Sequence, residues 1–253
     1  MKTVVTTSPD YVSLQAWLDT VPDLFRNGEG RLLYQGRNEV RLFEVDGHRL
    51  VVKRFKQHNW LKRIVYTFFR DNKAQRAYEN ALILTSRRFQ TPAAVGYIEV
   101  RRAGTIRQVY YICEHTEAEP IRPRLIEQDP FDQPLATAYA RFVASLHDAG
   151  VLHRDLNPTN VLYTESEGKY HFEVIDSNRM RFYDGPVPKE ECMENLTLFY
   201  WLTPAYRFIL DEYARQRGWT EEDIAEAIRV KQRHDRHWIR RKQITHFGRY
   251  ERL

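Results

Sequence analysis

The chain has 253 residues, 42% of them hydrophobic and 13% aromatic, with 11 Gly and 11 Pro, a composition that excludes disordered, collagen-like and coiled-coil proteins. That length fits one large domain or two small lobes sharing an interface. The net charge of +5 is uneven: eight Lys/Arg face a single acid between Lys53 and Arg76, nine face two acids between Arg229 and Leu253, and the remainder is acidic.

Ser8, Pro9 and Asp10 form a helix start, and Leu14, Trp17 and Leu18 share one face of a short N-terminal helix. Gly28 and Gly30 read as a turn before the first strand. Strands are predicted over Leu32–Tyr34, Val40–Val45 and Leu50–Phe55, the last two joined by an Asp46-Gly47 hairpin turn. Trp60, Leu61, Ile64, Val65, Phe68 and Phe69 recur at helical spacing, and Lys73–Arg88 reads as a further helix ending before Thr91-Pro92. Val95–Val100 and Gln108–Glu114 complete an antiparallel sheet.

A second lobe is expected from Ala118 onward, giving lobes over residues 1–117 and 118–253 within one domain. Leu135, Ala138, Tyr139, Phe142, Val143 and Leu146 make a helical stripe that Gly150 stops. Two short strands, Val161–Tyr163 and Tyr170–Ile175, flank the polar turn Glu165–Lys169. Thr203-Pro204 opens another helix, and Thr220 with Asp223 opens the last with a capping-box pattern.

The chemistry concentrates in VLHRDLNPTNVL, residues 151–162, and FEVIDSN, residues 172–178. Phosphoryl transfer needs a carboxylate to orient a hydroxyl and take its proton, and hard oxygen ligands for magnesium. Asp155 supplies the first; Asn160, five residues on, and Asp176, 21 residues on, supply the second. The arrangement resembles the kinase catalytic loop HRDxxxxN and the metal-binding Asp of the DFG position. Lys53, in VVKRF on the third strand, has a cation available to the α and β phosphates of ATP. Glu79, 26 residues further on, is the carboxylate expected to hold it in place. Glu114 sits where a hinge would offer backbone groups to adenine. His153 is expected to pack below the loop, and Arg154 to pair with an acid.

Protein kinases cover the phosphates with GxGxxG, whereas Gly36 in YQGRNEV is the one glycine between the first two strands here. Asn157 stands where Ser/Thr protein kinases usually carry a lysine, Ser177-Asn178 follow Asp176, and no APE segment follows. The chain resembles instead the bacterial lipopolysaccharide kinase family, the Kdo and heptose kinases of the lipid A inner core. YQGRNEVRLF, LVVKRF, VYTFFRDNKAQRAYENALIL, TPAAVGYIE, HRDLNPTNVL and FEVIDSNRMRF carry the resemblance. It implies an α+β, two-lobed protein-kinase-like fold: an antiparallel sheet with one or two helices, then a mainly helical lobe. It also implies ATP and Mg2+ as cofactors, with Lys53, Glu79 and Gly36 at the nucleotide, Asp155 acting on a sugar hydroxyl, and Asn160 and Asp176 holding magnesium. The implied acceptor is a Kdo or heptose residue anchored on lipid A, phosphorylated at the cytoplasmic face of the inner membrane.

Rival readings are a protein or small-molecule kinase with the same ATP site, and a nucleotide-binding pseudokinase that regulates a partner. The intact set Lys53, Glu79, Asp155, Asn160 and Asp176 speaks against the pseudokinase. The basic segments would suit peripheral contact with anionic lipid, or else are solvated faces; the apolar stripe from Trp60 is as well explained by packing under the sheet. His234 and His237 read as solvated residues, not a metal pair. No nucleic acid is expected, because no RNA or DNA motif accompanies the charge. Cys113 and Cys192 suit a reducing compartment as buried small hydrophobes. No stretch reaches the roughly 18 apolar residues that span a bilayer.

Overall fold

The computed structural model describes residues 2–56 and 71–245; the stripe from Trp60 to Phe69 lies outside the described residues. The chain forms two compact units, Met1–Glu117 with Val174–Arg179, and Ala118–Glu173 with Met180–Leu253.

In the first unit β1 (Lys2–Thr7), β2 (Arg31–Gln35), β3 (Glu39–Val45), β4 (His48–Arg54), β5 (Ala94–Arg102) and β6 (Thr105–Glu114) make one antiparallel sheet of order β1-β5-β6-β4-β3-β2. Three hairpin turns place two successive residues at positive φ: Asp46-Gly47 and Ala103-Gly104 in this sheet and Glu167-Gly168 in the second unit. Such turns twist with the strands they join. The first and third of them fall where the sequence analysis expects them.

The N-terminal helix is longer than expected. A 3-10 turn over Pro9–Leu14 leads into α1 (Gln15–Asn27), which ends at Gly28 in the left-handed conformation. Leu18, Val21 and Phe25 of α1 pack with Phe43, Leu50, Val52 and Tyr110 on one face of the sheet, each burial stabilising by roughly 1.5–3 kcal/mol. Gly30 has φ +81, and a Cβ there would come within 2.5 Å of the Phe43 ring, so the turn into β2 requires glycine.

The opposite face carries α2 (Lys73–Ser86). Asn72 caps it, its Oδ1 accepting from the Ala74 and Gln75 amides at 2.9 and 3.1 Å while its Nδ2 donates to Glu99 at 2.6 Å. Tyr78 and Ala81 pack with Ala94, Tyr97 and Tyr111, and Ala74 with Phe55. Side chains alternate along β4, so Leu50 and Val52 enter the α1 core while Lys53, followed by Phe55, projects on the α2 side. Strand periodicity thus sets the lysine apart from the α1 core.

In the second unit α3 (Gln133–Asp148) buries Leu135, Tyr139, Val143 and Leu146, the predicted stripe. It packs with α5 (Pro204–Arg217), whose cap Thr203 accepts from the Tyr206 amide. β7 (Glu119–Pro120), β9 (Val161–Ser166) and β10 (Lys169–Val174) form a sheet of order β10-β9-β7, and β8 (Val151–His153) pairs antiparallel with β11 (Met180–Phe182). α4 (Lys189–Leu196) and α6 (Glu221–Thr245) complete the unit. Thr220 and Asp223 form the predicted capping box reciprocally, at 3.0 and 3.2 Å.

Candidate active site

In the first unit the Lys53 Nζ lies 2.8 Å from the Asp176 Oδ1 and 5.2 Å from the centre of the Phe55 ring. Asp176 takes a positive φ of 60°, a left-handed conformation that Asp tolerates better than most residues. Its carboxylate also accepts from the Asn178 Nδ2. The turn after it docks on α2: the Ser177 Oγ donates to the Ala77 carbonyl at 2.9 Å, and the Asn80 Nδ2 donates to the Ser177 carbonyl at 2.7 Å.

Two sequence expectations, on Glu79 and Gly36, are corrected here. Glu79 does not hold Lys53: it is exposed on α2 and accepts from the Gln75 Nε2 at 2.9 Å, while Asp176 takes the lysine. The cause is helical phase. Ala74, Ala77, Tyr78 and Ala81 form the buried face, and position 79 follows 77 by about 200°, toward solvent. Of the Glu114 backbone groups the amide is engaged, donating to the Ala93 carbonyl at 2.9 Å, and the side chain meets the His48 Nδ1 at 2.7 Å. The Gly36 amide is likewise engaged, donating to the Asn38 carbonyl at 3.0 Å, so it cannot cradle a phosphate as a glycine-rich loop does. Gly36 nonetheless lines a cavity of about 410 Å³ with Arg37, Arg54, Lys56 and Gln108.

In the second unit the residues of the Asp155 loop hold one another. The Asn160 Nδ2 donates to the Asp155 carbonyl at 2.8 Å, which leaves its Oδ1 as the acceptor atom. Asn157 supports the loop from within, its Oδ1 accepting the Thr159 amide at 3.0 Å and its Nδ2 donating to the Asp155 carbonyl at 3.3 Å. His153 is 1% exposed, and its Nδ1 accepts the Asp155 amide at 3.2 Å, which requires the proton on Nε2. Arg154, expected beside an acid, is exposed and has no ion pair among the described residues.

Behind this loop lies a buried polar relay with no motif in the sequence. The Asn195 Nδ2 donates to the His153 carbonyl at 2.9 Å, and its Oδ1 accepts from the His147 Nε2 at 3.1 Å. That fixes the His147 Nδ1 as an acceptor for the Tyr213 hydroxyl, at 2.8 Å. Burial pushes the His147 imidazole down to about 4, so it is neutral at physiological pH.

The C-terminal basic segment is less basic at its surface than its count suggests. Lys231 is 1% exposed, donating to the Thr197 carbonyl at 3.1 Å and to Asp235 at 2.7 Å. Arg229 and Arg233 both pair with Glu226, at 2.6 and 3.1 Å. His234 and His237 line a cavity of about 570 Å³ with Leu152, Arg154, Met193 and Glu194, and no group of three potential metal-ligating His, Cys, Asp or Glu occurs among the described residues.

The lipopolysaccharide kinase (Kdo/WaaP) family model matches residues 16–230, a span holding both the Lys53–Asp176 pair and the Asp155 loop. The chain belongs to that family. A solved structure of WaaP in complex with acyl carrier protein superposes with a TM-score of 0.61 at 21% identity, covering 92% of this chain and 98% of that one, and shows the shared kinase-like fold. Ribosomal protein S6 kinase 2 alpha of Xenopus laevis is 26% identical over 156 residues, covering 59% of this chain and 20% of the relative. Calcium/calmodulin-dependent protein kinase type 1 of Macrobrachium nipponense is 28% identical over 137 residues, covering 51% and 39%. The chain thus spans well under half the length of these curated relatives. Among the described residues no helix is long and apolar enough to cross a membrane.

Proposed function

We propose that this lipopolysaccharide kinase transfers the γ-phosphoryl group of ATP to a hydroxyl of the inner core, with Kdo on lipid A as the acceptor. The observation that carries the reading is the family match across both the Lys53 strand and the Asp155 loop. The donor chemistry of the residues fits ATP and magnesium. Lys53 is an ammonium on a rigid strand, suited to phosphate oxygens, and Asp176 and the Asn160 Oδ1 are hard oxygen donors of the kind magnesium takes when phosphates and waters complete its shell. The metal, when bound, would neutralise charge on the phosphates. Asp155 would orient the acceptor hydroxyl and accept its proton as the hydroxyl oxygen bonds to phosphorus and the bond to the ADP oxygen breaks. The acceptor would be met at the inner face of the bacterial inner membrane, where the exposed part of the basic segments could contact anionic lipid.

The test is mass spectrometry of Kdo-lipid A incubated with the full chain, ATP and magnesium, beside Asp155→Ala and a generic protein acceptor. The expected result is a phosphate-sized gain on the glycolipid, reduced by roughly a hundredfold or more in the variant, as for loss of a positioned general base. Phosphate on the protein acceptor alone would overturn the sugar acceptor. Nucleotide binding without transfer to either would point to the regulatory reading.

A further inference from the structure

The cavity of about 570 Å³ in the second unit is bounded by the chain entering the Asp155 loop, by α4 and by α6, and it is of the size that small molecules occupy. Leu152 and Arg154, alternate residues of that chain, both line it, so a single peptide bond joins its wall to Asp155. Glu190 and Glu194, one turn apart on α4, line it as well, and His237 lines it from α6. The wall is braced from within. The Asn195 Nδ2 on α4 donates to the His153 carbonyl at 2.9 Å, which ties the helix that presents both glutamates to the strand that leads into Arg154.

Much of the charge on this wall is already engaged: Arg233 pairs with Glu226, Glu191 with Arg181, and the His234 Nδ1 with Asp235. Four side chains are not. Arg154, Glu190, Glu194 and His237 are exposed, and their side chains make no hydrogen bond or ion pair among the described residues. What remains is one guanidinium, two carboxylates and an imidazole, and that composition selects a ligand. A polyphosphate or a nucleic acid would set several negative charges against two unpaired carboxylates, which repel them. An apolar ligand would strip water from four polar groups and give them no partner in return. A sugar acid meets the whole set: its one carboxylate fits the planar fork of the guanidinium in two parallel N–H···O bonds, and its hydroxyls donate to the carboxylates, which only accept.

We propose that this cavity is the acceptor subsite of the chain, with Arg154 binding the carboxylate of a sugar acid and Glu190 and Glu194 binding its hydroxyls. The inference rests on the sugar-acceptor reading above and adds to it the groups that select an acidic sugar over a neutral one. A sugar held at Arg154 lies one residue from the carboxylate that takes the proton of its reacting hydroxyl.

The experiment is steady-state kinetics of the full chain with ATP, magnesium and Kdo-lipid A, using soluble Kdo and its methyl ester as competitors. Wild type is compared with Arg154→Gln, Arg154→Lys and the double variant Glu190→Gln/Glu194→Gln. In wild type the free acid should compete roughly tenfold better than the ester, as for a charge-assisted bidentate contact. Arg154→Gln should raise the KM for the glycolipid by roughly tenfold, keep the KM for ATP within about twofold, and abolish the preference for acid over ester. Arg154→Lys should keep part of that preference, since it retains the charge and loses the fork. The double variant, altered only at exposed positions of α4, should raise the glycolipid KM with the ATP KM again unchanged, which decides the matter even if Arg154→Gln folds poorly. A glycolipid KM within about twofold of wild type in both charge-removing variants, or equal competition by acid and ester in wild type, would overturn the inference and leave the sugar-acceptor reading intact. A wild-type chain that phosphorylates no glycolipid would overturn that reading, and this inference with it.

Discussion

The pairing of Lys53 with Asp176 and the exposure of Glu79 give opposite expectations for two residues that the kinase pattern treats as partners. Lys53→Met should lower kcat/KM by roughly a hundredfold or more, in line with removal of one preorganised electrostatic group from a reacting site. Glu79→Gln should leave kcat/KM within about twofold, because the side chain is solvated and touches Gln75 alone among the groups named here. Steady-state kinetics on both variants checks the contrast, and a large loss in Glu79→Gln would show that α2 rotates during turnover. At this scale the sequence is legible where chemistry is local. Asp155 and Asn160 lie five residues apart on one loop, and the Asn160 amide closes on the Asp155 carbonyl as such spacing suggests. Glu79 was misread because its direction depends on how a helix is phased against a sheet, which no short motif records. The engagement of the Gly36 amide is not legible in sequence, because a hydrogen bond within a turn leaves no trace in residue type.

Elements carry the support that motifs omit. The relay from Tyr213 on α5 through His147 on α3 and Asn195 on α4 ends on the carbonyl of His153, two residues before Asp155, so three helices fix the strand that leads into the loop. Its pH dependence has a definite sign. Burial depresses the proton affinity of His147 in the folded chain from the ordinary 6.5 to about 4, so the unfolded chain binds protons first as pH falls. Stability is therefore unaffected above about pH 7 and is lost as pH drops below the unfolded value, by about 2 kcal/mol near pH 5 from this group. Denaturant melts of wild type and His147→Gln across that range should show a smaller acid loss in the variant, although the variant starts lower for want of a matched acceptor. At the start of α6, Thr220→Ala removes one half of the capping box and should cost about 1 kcal/mol, read as a fall in thermal midpoint with kinetics unchanged. The cap was visible in sequence, since it is a pattern of four residues; the relay was not, since its members lie 48 and 66 residues apart.

For the whole molecule, ligand binding should register as stability. A nucleotide held at a hundred times its Kd stabilises by about 2.7 kcal/mol, or roughly 5–10 °C in midpoint for a chain of this size. Differential scanning fluorimetry with ATP and magnesium should show that shift in wild type and a much reduced one in Lys53→Met. The central strands, the two helices of the first unit and the helical stripe of the second follow from periodicity and turn chemistry, and the motifs that carry the family resemblance imply the fold class; the sheet order is not written in any local pattern. β1 could not, because its run KTVVTT acquires meaning only beside β5, some ninety residues on, where Gly96 leaves no room for a side chain against the Thr6 carbonyl. The same long reach governs how the chain is made. Residues 174–179 belong to the first unit, with the Val174 amide on the Gln90 carbonyl and Ser177 on α2. A ribosome that has released residues 1–117 has therefore released a unit still lacking the segment that carries Asp176. The nascent first lobe must hold its α2 face open while the Asp155 loop is being translated, and a fragment ending at residue 117 should be a chaperone client instead of a nucleotide-binding domain.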